Sequence, residues 1–174
     1  INNQGEWQPG PIAAYNQNMY LLAPEFRNIY AFETDADQQV VAPLDWVSVG
    51  DRVNLNIAVD IAIDGNIYVL LEDGQVITYR GGLEIDRFEL PGFDFRTQDP
   101  KAIVRGPNTG YVYVAVEDQD GGGRVIATDI EGENPVIMEL PTDFSTGGAD
   151  VLDPFVGIQD IVVDEPTGTL YIIN

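Results

Sequence analysis

The amino-acid sequence predicts an all-β protein made of repeated four-stranded antiparallel units. Short apolar runs alternate with Asp-Gly and Gly-Gly pairs, which favour the tight turns of β-hairpins. Four strand patterns then recur in the same order along the 174 residues. We find no segment with the 3.6-residue apolar period and the capping residues of an α-helix. Together these observations predict the blades of a β-propeller, each blade a four-stranded meander.

The clearest unit covers residues 60–91. Its strands are apolar on both faces, which is expected of a sheet packed between two other sheets. A two-sheet sandwich is the alternative fold, but it predicts a cleaner alternation of apolar and polar residues and no repeat of this length. We predict strands at 60–63, 66–71, 75–79 and 85–90, with turns at Asp64-Gly65, Asp73-Gly74 and Gly81-Gly82.

A tyrosine in the second strand marks the repeat, and we predict that it occupies equivalent places in successive blades. It stands at Tyr20, Tyr68, Tyr113 and Tyr171, at steps of 48, 45 and 58 residues. The strand before it recurs at 11–15, 60–64, 101–105 and 160–164, and the third strand at 28–33, 75–80 and 124–129. This gives about three and a half blades in a single propeller region, 1–174, with units at approximately 11–47, 58–91, 100–141 and 159–174.

The fourth unit has only its first two strands, so we expect the chain to be a fragment of a longer one. Residues 170–174 would otherwise form a sheet edge with unpaired backbone groups, which invites aggregation. Three covers are open: further blades of the same chain, another chain, or residues 1–10 folding back. We favour the first, because the sequence starts at Ile1 without an initiator Met and stops at Asn174, which lies inside a predicted strand.

Units two and three resemble the blades of NHL-type and related six-bladed propellers. The resemblance rests on Asp-Ile-Ala-Ile-Asp at 60–64, Gly-Asn-Ile-Tyr-Val-Leu at 65–70 and Gln-Val-Ile-Thr-Tyr at 75–79. It extends to units one and four in part. It implies four-stranded blades around a central axis, in a module that serves sensing or interaction and is often attached to other domains. No residue matches an enzymatic signature of that superfamily.

The charge of the chain limits its partners. Asp and Glu number 29 against 8 Lys and Arg, which gives a net charge of -21. Nucleic acid and anionic lipid surfaces would be repelled, so we expect neither nucleic-acid binding nor membrane insertion. Cations, basic proteins and saline surroundings are compatible with this charge. No apolar run approaches the length of a membrane span.

The residue inventory excludes most catalytic machinery. Without His or Cys, the usual triads, zinc sites and thiolate nucleophiles are excluded. The two serines, Ser48 and Ser145, lie outside any nucleophile-elbow motif. We interpret Lys101, the single lysine, as a surface or channel-mouth charge rather than a Schiff-base residue. Acid–base chemistry would fall to paired carboxylates, and we assign no catalytic residue.

Two acidic loops have the spacing of calcium ligands. One holds Asp35 and Asp37, and the other holds Asp118 and Asp120 followed by glycines. Calcium needs several converging oxygens, which alternating carboxylates supply, although ordinary Asp-rich turns have the same composition. We expect at most one calcium ion, no transition metal and no other cofactor.

The first strand of each blade should line a central channel. Its leading residues are Pro11, Asp60, Lys101 and Asp160, and its trailing residues are Tyr15, Asp64, Arg105 and Asp164. At both ends of the strand, unit 3 has a basic residue and its neighbours, units 2 and 4, have acidic ones. We favour ion pairs between adjacent blades. The alternative is a channel mouth, at Asp60, Lys101 and Asp160, that holds a cation or a polar ligand.

We therefore predict a non-catalytic recognition or scaffold module that binds a protein or another ligand, in an extracellular, cell-surface or periplasmic setting. The alternative is a propeller hydrolase of lactonase or glycosidase type that uses channel-mouth carboxylates and a divalent metal. An enzyme should bring three oxygen-bearing side chains to one point at the channel mouth. A scaffold should expose an aromatic patch on a rim, for which the candidates are Trp7, Trp46, Phe93, Phe95, Phe144 and Phe155.

Overall fold

The described residues of the computed structural model form β-strands and three short 3-10 turns, and no α-helix occurs among them. The three turns lie at Pro24–Phe26, Val49–Asp51 and Leu55–Ile57. No helix in this part of the chain has the length and hydropathy to span a bilayer. The described residues are 10–33, 40, 42–106, 108–119, 122–138, 157–164, 166–167 and 169–173.

The strands of the described residues form four consecutive antiparallel sheets in chain order, of which three are four-stranded meanders and the last is a two-stranded hairpin. Unit 1 contains β1 (Ile12–Tyr15), β2 (Asn18–Ala23), β3 (Asn28–Phe32) and β4 (Leu44–Asp45). Unit 2 contains β5 (Ala58–Ile63), β6 (Ile67–Leu71), β7 (Gln75–Arg80) and β8 (Leu83–Glu89). Unit 3 contains β9 (Gln98–Arg105), β10 (Tyr111–Asp118), β11 (Gly123–Asp129) and β12 (Val136–Met138). Unit 4 contains β13 (Asp160–Asp164) and β14 (Thr169–Ile173).

The repeat tyrosines occupy equivalent places, as predicted. Tyr20, Tyr68, Tyr113 and Tyr171 all lie on the second strand of their unit. The residue after each tyrosine faces an isoleucine of the first strand. These pairs are Ile12 with Leu21, Ile61 with Val69, Ile103 with Val114, and Ile161 with Ile172.

The predicted turn chemistry also holds. Gly74 has a φ of 80° in the turn between β6 and β7, and a Cβ there would overlap the ring of Phe93. Only glycine tolerates both conditions. The Asp73 side chain accepts the N–H of Gln75 at 3.1 Å, which closes the turn locally.

Apolar side chains between neighbouring units form three separate cores. The alternation along β6 sends Ile67, Val69 and Leu71 into the core shared with unit 1. Tyr68 and Leu70 point the other way, into the core shared with unit 3. The middle strands of unit 2, β6 and β7, are therefore buried on both faces, whereas the outer strand β8 has exposed polar residues. The third core joins units 3 and 4 around Ala102, Ala115, Val125, Ile158 and Ile161.

The first strands of successive units, β1, β5, β9 and β13, are neighbours in space. The units are therefore stacked about a common axis with their first strands innermost. This arrangement places the candidate channel residues side by side.

Candidate functional site

The four first strands line one open cavity of about 450 Å³. Asp60, Lys101 and Asp160 all border it, together with Pro11 and Arg105. The structure thus brings the residues predicted at the channel to one surface. We call the end where the first strands begin the leading end, and the end where they finish the trailing end.

Asp60 joins two units at the leading end. Its Oδ1 accepts the N–H of Ile61 in its own strand at 2.8 Å. Its Oδ2 accepts the N–H of Ile103, on the first strand of unit 3, also at 2.8 Å. Both backbone groups lie on the channel side of their strands, where no neighbouring strand can pair with them. The Asp60 carboxylate therefore accepts the unpaired edge N–H groups of two units at once.

Burial raises the pKa of Asp60 from 3.8 to about 7. The two backbone N–H donors oppose this shift by stabilising the charged form, and the nearby charge of Asp160 adds to it. Asp60 is thus a carboxyl group whose protonation changes near neutral pH.

Lys101 does not take the place that the repeat alignment gives it. The alignment matches Lys101 with Asp60 and Asp160, but the strand register puts Ala102 at that position. The bulky residue that faces the preceding unit decides the register, and in unit 3 this residue is Ile103, not Ala102.

The predicted ion pair between units is therefore wrong at the leading end. Among the described residues, the Nζ of Lys101 pairs with Glu117 at 3.2 Å and Asp99 at 3.8 Å, both in its own unit. Glu117 also accepts the N–H of Gly157 at 3.0 Å. This backbone hydrogen bond lowers the pKa of Glu117, and Lys101 contributes to the same shift. The pair thus anchors the segment that enters unit 4.

At the trailing end, the predicted ion pair between units is confirmed. The Nε of Arg105 lies 2.7 Å from the Oδ2 of Asp64, and both side chains are largely buried. The Nη1 of the same guanidinium donates to the carbonyls of Gly106 and Tyr111, and its Cζ lies 5.7 Å from the centre of the Tyr68 ring. Arg105 thus pairs its charge and bonds its own loop simultaneously.

Sequence reasoning missed the partners that complete this network. The hydroxyl of Tyr68 donates to Asp64 at 3.3 Å and accepts from Asn66 at 3.4 Å. Arg80 in turn donates from its Nε to the Asn66 side chain at 2.8 Å. The Asp-Gly-Asn sequence at residues 64–66 could have indicated these partners. Asp64 and Asn66 form the turn, and the same two side chains take part in the network.

The calcium candidates are placed only in part. Asp35, Asp37 and Asp120 lie outside the described residues. Asp118 accepts from Gln98 at 2.8 Å and lies 3.4 Å from the Nη2 of Arg124. Across the described ranges, no three Asp or Glu side chains are close enough to hold a metal ion together. Calcium binding at either loop therefore stays a prediction.

Of the rim aromatics, Trp46 and Phe93 pack between units. Phe95 instead is 63% exposed. It borders two hollows, one of about 570 Å³ toward the channel with Glu72, Asp73 and Asp99, and one of about 410 Å³ with Asp94 and Glu89. Trp7, Phe144 and Phe155 lie outside the described residues.

Solved structures similar to this chain share its architecture at low sequence identity. A chain of the nidogen/laminin complex matches with a TM-score of 0.65 and 16% identity, covering 95% of this chain and 56% of that chain. Luciferin-regenerating enzyme matches with a TM-score of 0.52 and 16% identity, covering 76% of this chain and 47% of its own. A putative 6-phosphogluconolactonase from Bacteroides uniformis matches with a TM-score of 0.50 and 12% identity, covering 96% and 54%.

The chain has a β-propeller fold. Its neighbours are propeller proteins, and its four sheets are successive blades with the first strands at the axis. The chain spans about half the length of these three solved structures. No protein-family model matches the sequence, and no curated protein matches it significantly. The likeness therefore concerns the fold, which hosts binding modules and enzymes alike.

Proposed function

We propose that this chain is a non-catalytic propeller module that recognises a protein partner. The observation that carries the proposal is that the channel carboxylates are already bonded to groups of the chain itself. Both oxygens of Asp60 accept backbone N–H groups, and Asp64 is paired with Arg105. Carboxylates held in this way join units to each other, and neither is free to attack a substrate or take its proton.

The surface around Phe95 is the one that suits a partner. An exposed aromatic ring between two hollows is an anchor of the kind that protein interfaces use. Glu72, Asp73 and Asp99 line one hollow together with Lys101, and Asp73, Glu89 and Asp94 line the other. Because carboxylates outnumber the one lysine, a cationic segment of the partner fits best. The guanidinium of Arg96 lies 5.6 Å from the ring centre, within the distance of a cation–π contact, which supports a cationic partner.

Binding of a fluorescent hexa-arginine peptide, followed by anisotropy in about 150 mM salt, tests this surface. We expect Phe95→Ala to weaken binding by about two- to fivefold, the value of one exposed cation–π contact. Phe26→Ala is the matched control, because Phe26 is a similarly exposed aromatic, at 49%, on unit 1. No binding at this salt concentration, or equal affinities for the two variants, would contradict the proposal.

A propeller hydrolase of lactonase or glycosidase type, with channel-mouth carboxylates and a divalent metal, is the second candidate. One observation favours it: Asp60 borders the channel cavity and has a pKa of about 7, which suits a general acid. Hydrolysis of a γ-lactone or of p-nitrophenyl glycosides, with and without Ca²⁺, tests it. Turnover that Asp60→Asn abolishes would establish the hydrolase. Absence of turnover under both conditions would support the recognition module.

We further propose an extracytoplasmic location, at the cell surface, outside the cell or in the periplasm. The high acidity of the chain, which suits saline surroundings, supports this. Fractionation of the source cells with an antibody against the chain tests it, and recovery in the cytoplasmic fraction would contradict it.

A further inference from the structure

The two hollows that border the Phe95 ring differ in their charge. The hollow toward the channel has Lys101 in its wall, and the Nζ of Lys101 lies 3.8 Å from the carboxylate of Asp99. The other hollow, of about 410 Å³, lies between units 2 and 3 and has no described lysine or arginine in its wall. Its wall contains three carboxylates and two aromatic rings: Asp73, Glu89, Asp94, Phe93 and Phe95. We call it the Phe93–Phe95 hollow, and of the two it attracts a cation more strongly.

The walls of the Phe93–Phe95 hollow are fixed to each other. The N–H of Leu90 donates to the carbonyl of Gly74 at 2.9 Å, which ties the end of unit 2 to the turn between β6 and β7. The ring of Phe93 occupies the space that a Cβ on Gly74 would take, and it packs against the core between units 2 and 3. The hollow therefore exists before a ligand arrives, which lowers the entropy cost of binding.

Two of the carboxylates each keep one oxygen for a ligand. The Oδ1 of Asp73 accepts the N–H of Gln75 at 3.1 Å, and the Oδ1 of Asp94 accepts the N–H of Arg96 at 3.0 Å. Both side chains are exposed, and the Oδ2 of neither accepts a hydrogen bond from a described residue. A ligand that suits these oxygens must donate hydrogen bonds, which a quaternary ammonium group cannot do.

The cations nearest to this hollow leave it open. Arg87 donates from its Nη1 to the Gln75 side chain at 2.9 Å, but its Nε and Nη2 bond to Glu84 at 3.0 Å, so its charge is already paired. The guanidinium of Arg96 lies 5.6 Å from the centre of the Phe95 ring, and Arg96 is not part of the wall of the hollow. Neither side chain therefore fills the site.

We propose that the Phe93–Phe95 hollow binds the side chain of an arginine of the partner. The proposal rests on the proposed function, and it specifies which hollow receives the partner's cation and which cation that is. The planar guanidinium stacks on the Phe95 ring and donates N–H groups to the Oδ2 atoms of Asp73 and Asp94. The alkyl stem of the arginine packs against Phe93 and Leu90. Lysine carries the same charge but has no flat face to stack and no planar set of donors.

Hexa-arginine and hexa-lysine peptides, compared by anisotropy in about 150 mM salt, test the choice of arginine. The two peptides carry the same charge, so the acidity of the chain alone attracts them equally. We expect hexa-arginine to bind about three- to tenfold more tightly, because only a guanidinium combines stacking with hydrogen bonds to both carboxylates. Equal affinities would overturn the arginine site, although the surface would still be one that recognises cationic segments.

Asp94→Asn tests which hollow is used. Asparagine keeps the oxygen that accepts the N–H of Arg96, so the loop retains its bond while the charge is lost. We expect the preference for arginine to fall to about twofold or less. Asp99→Asn is the matched control: it removes one charge from the other hollow and should weaken both peptides alike, with the preference retained. Circular dichroism checks that both variants fold. A preference that survives Asp94→Asn, or falls equally in both variants, would overturn the proposal.

Amide chemical shifts, measured by NMR during titration of the whole chain, locate the site with a small probe. Ethylguanidinium and tetramethylammonium carry one positive charge each, but only the first has N–H donors. We expect ethylguanidinium to shift the amides of Gly74, Gln75 and Phe95, and tetramethylammonium to shift them much less. Equal shifts with the two cations, or ethylguanidinium shifts confined to Glu72 and Lys101, would overturn this site while the proposed function stands. If neither peptide binds, the proposed function itself fails, and the arginine site fails with it.

Discussion

The same isoleucine position has different surroundings at the start of the chain and further along it. Ile12, Ile61, Ile103 and Ile161 each face the residue after the repeat tyrosine. The last three are buried against the preceding unit, but Ile12 is 57% exposed. Residue type and register are identical, so the difference comes only from the neighbouring blade. Stability in this fold is therefore a property of interfaces between units more than of single units.

Asp60 and Asp160 make the same comparison for a charged group. Both accept the N–H of the next residue, but among the described residues only Asp60 also reaches a further unit, at Ile103. Burial in that interface raises the pKa of Asp60. A covered interface thus changes the chemistry of the carboxylate that it buries. The predictions below break the covered interface at different points, beginning with its buried charge.

Arg105→Met should have the largest effect. It leaves Asp64 buried beside an apolar chain, without its ion pair, and it frees two carbonyls of the loop. Loss of one partner of a buried pair costs about 3–5 kcal/mol of unfolding free energy, which urea titration at pH 7 measures. Arg80→Met, which removes an exposed arginine from the same network, should cost less than about 1 kcal/mol. Equal losses would show that the Asp64 pair is not effectively buried.

Ile103→Ala should destabilise the chain by about 2–5 kcal/mol, through lost burial and a cavity between units 2 and 3. Ile12→Ala removes the same atoms at the equivalent position, and should change the unfolding free energy by about 0.5 kcal/mol or less. Urea titration of dilute samples compares them. Similar losses would mean that unit 1 has a covering partner under these conditions.

Asp60 should make stability fall as the pH rises. Its pKa is higher in the folded chain, about 7, than the ordinary value of 3.8, so the folded state binds the proton more tightly. The stabilisation is complete below about pH 4 and is lost as the pH rises through 7, with a slope of at most about 1.4 kcal/mol per pH unit. Subtracting the curve of Asp60→Asn from that of the wild type isolates this slope. Asp86→Asn should leave it unchanged, and a wild-type curve parallel to that of Asp60→Asn would refute the shift.

The fold was predictable because its signals are local. Asp73-Gly74 predicts a turn because glycine readily adopts the positive φ that the turn requires. Tyr68 and its equivalents mark the second strand of each unit. The two-residue strand β4 was not predicted, since so short a run has no alternation to detect.

The site was predictable only where opposite charges follow the repeat, as for Asp64 and Arg105. The place of Lys101 was not predictable. Alignment by charge matches Lys101 with Asp60, whereas alignment by side-chain size matches Ile103 with the isoleucines of the other units, and the packing of Ile103 sets the observed register. The reach of Asp60 to Ile103 joins residues 43 positions apart, which no local pattern encodes.

Calcium should have the smallest effect. Asp118 is the described member of one candidate loop, and its carboxylate already contacts Gln98 and Arg124. An ion binding there must compete with the guanidinium of Arg124, so we expect a dissociation constant near 1 mM or weaker. At a Ca²⁺ concentration equal to the dissociation constant, binding adds only about 0.4 kcal/mol to the unfolding free energy. Arg124→Gln removes the competing charge, and isothermal titration calorimetry should then detect tighter Ca²⁺ binding, whereas Arg96→Gln, outside this loop, should not alter it. If calorimetry detects no heat of Ca²⁺ binding to the wild type or to Arg124→Gln, the 118–122 loop is an ordinary turn and not a calcium site.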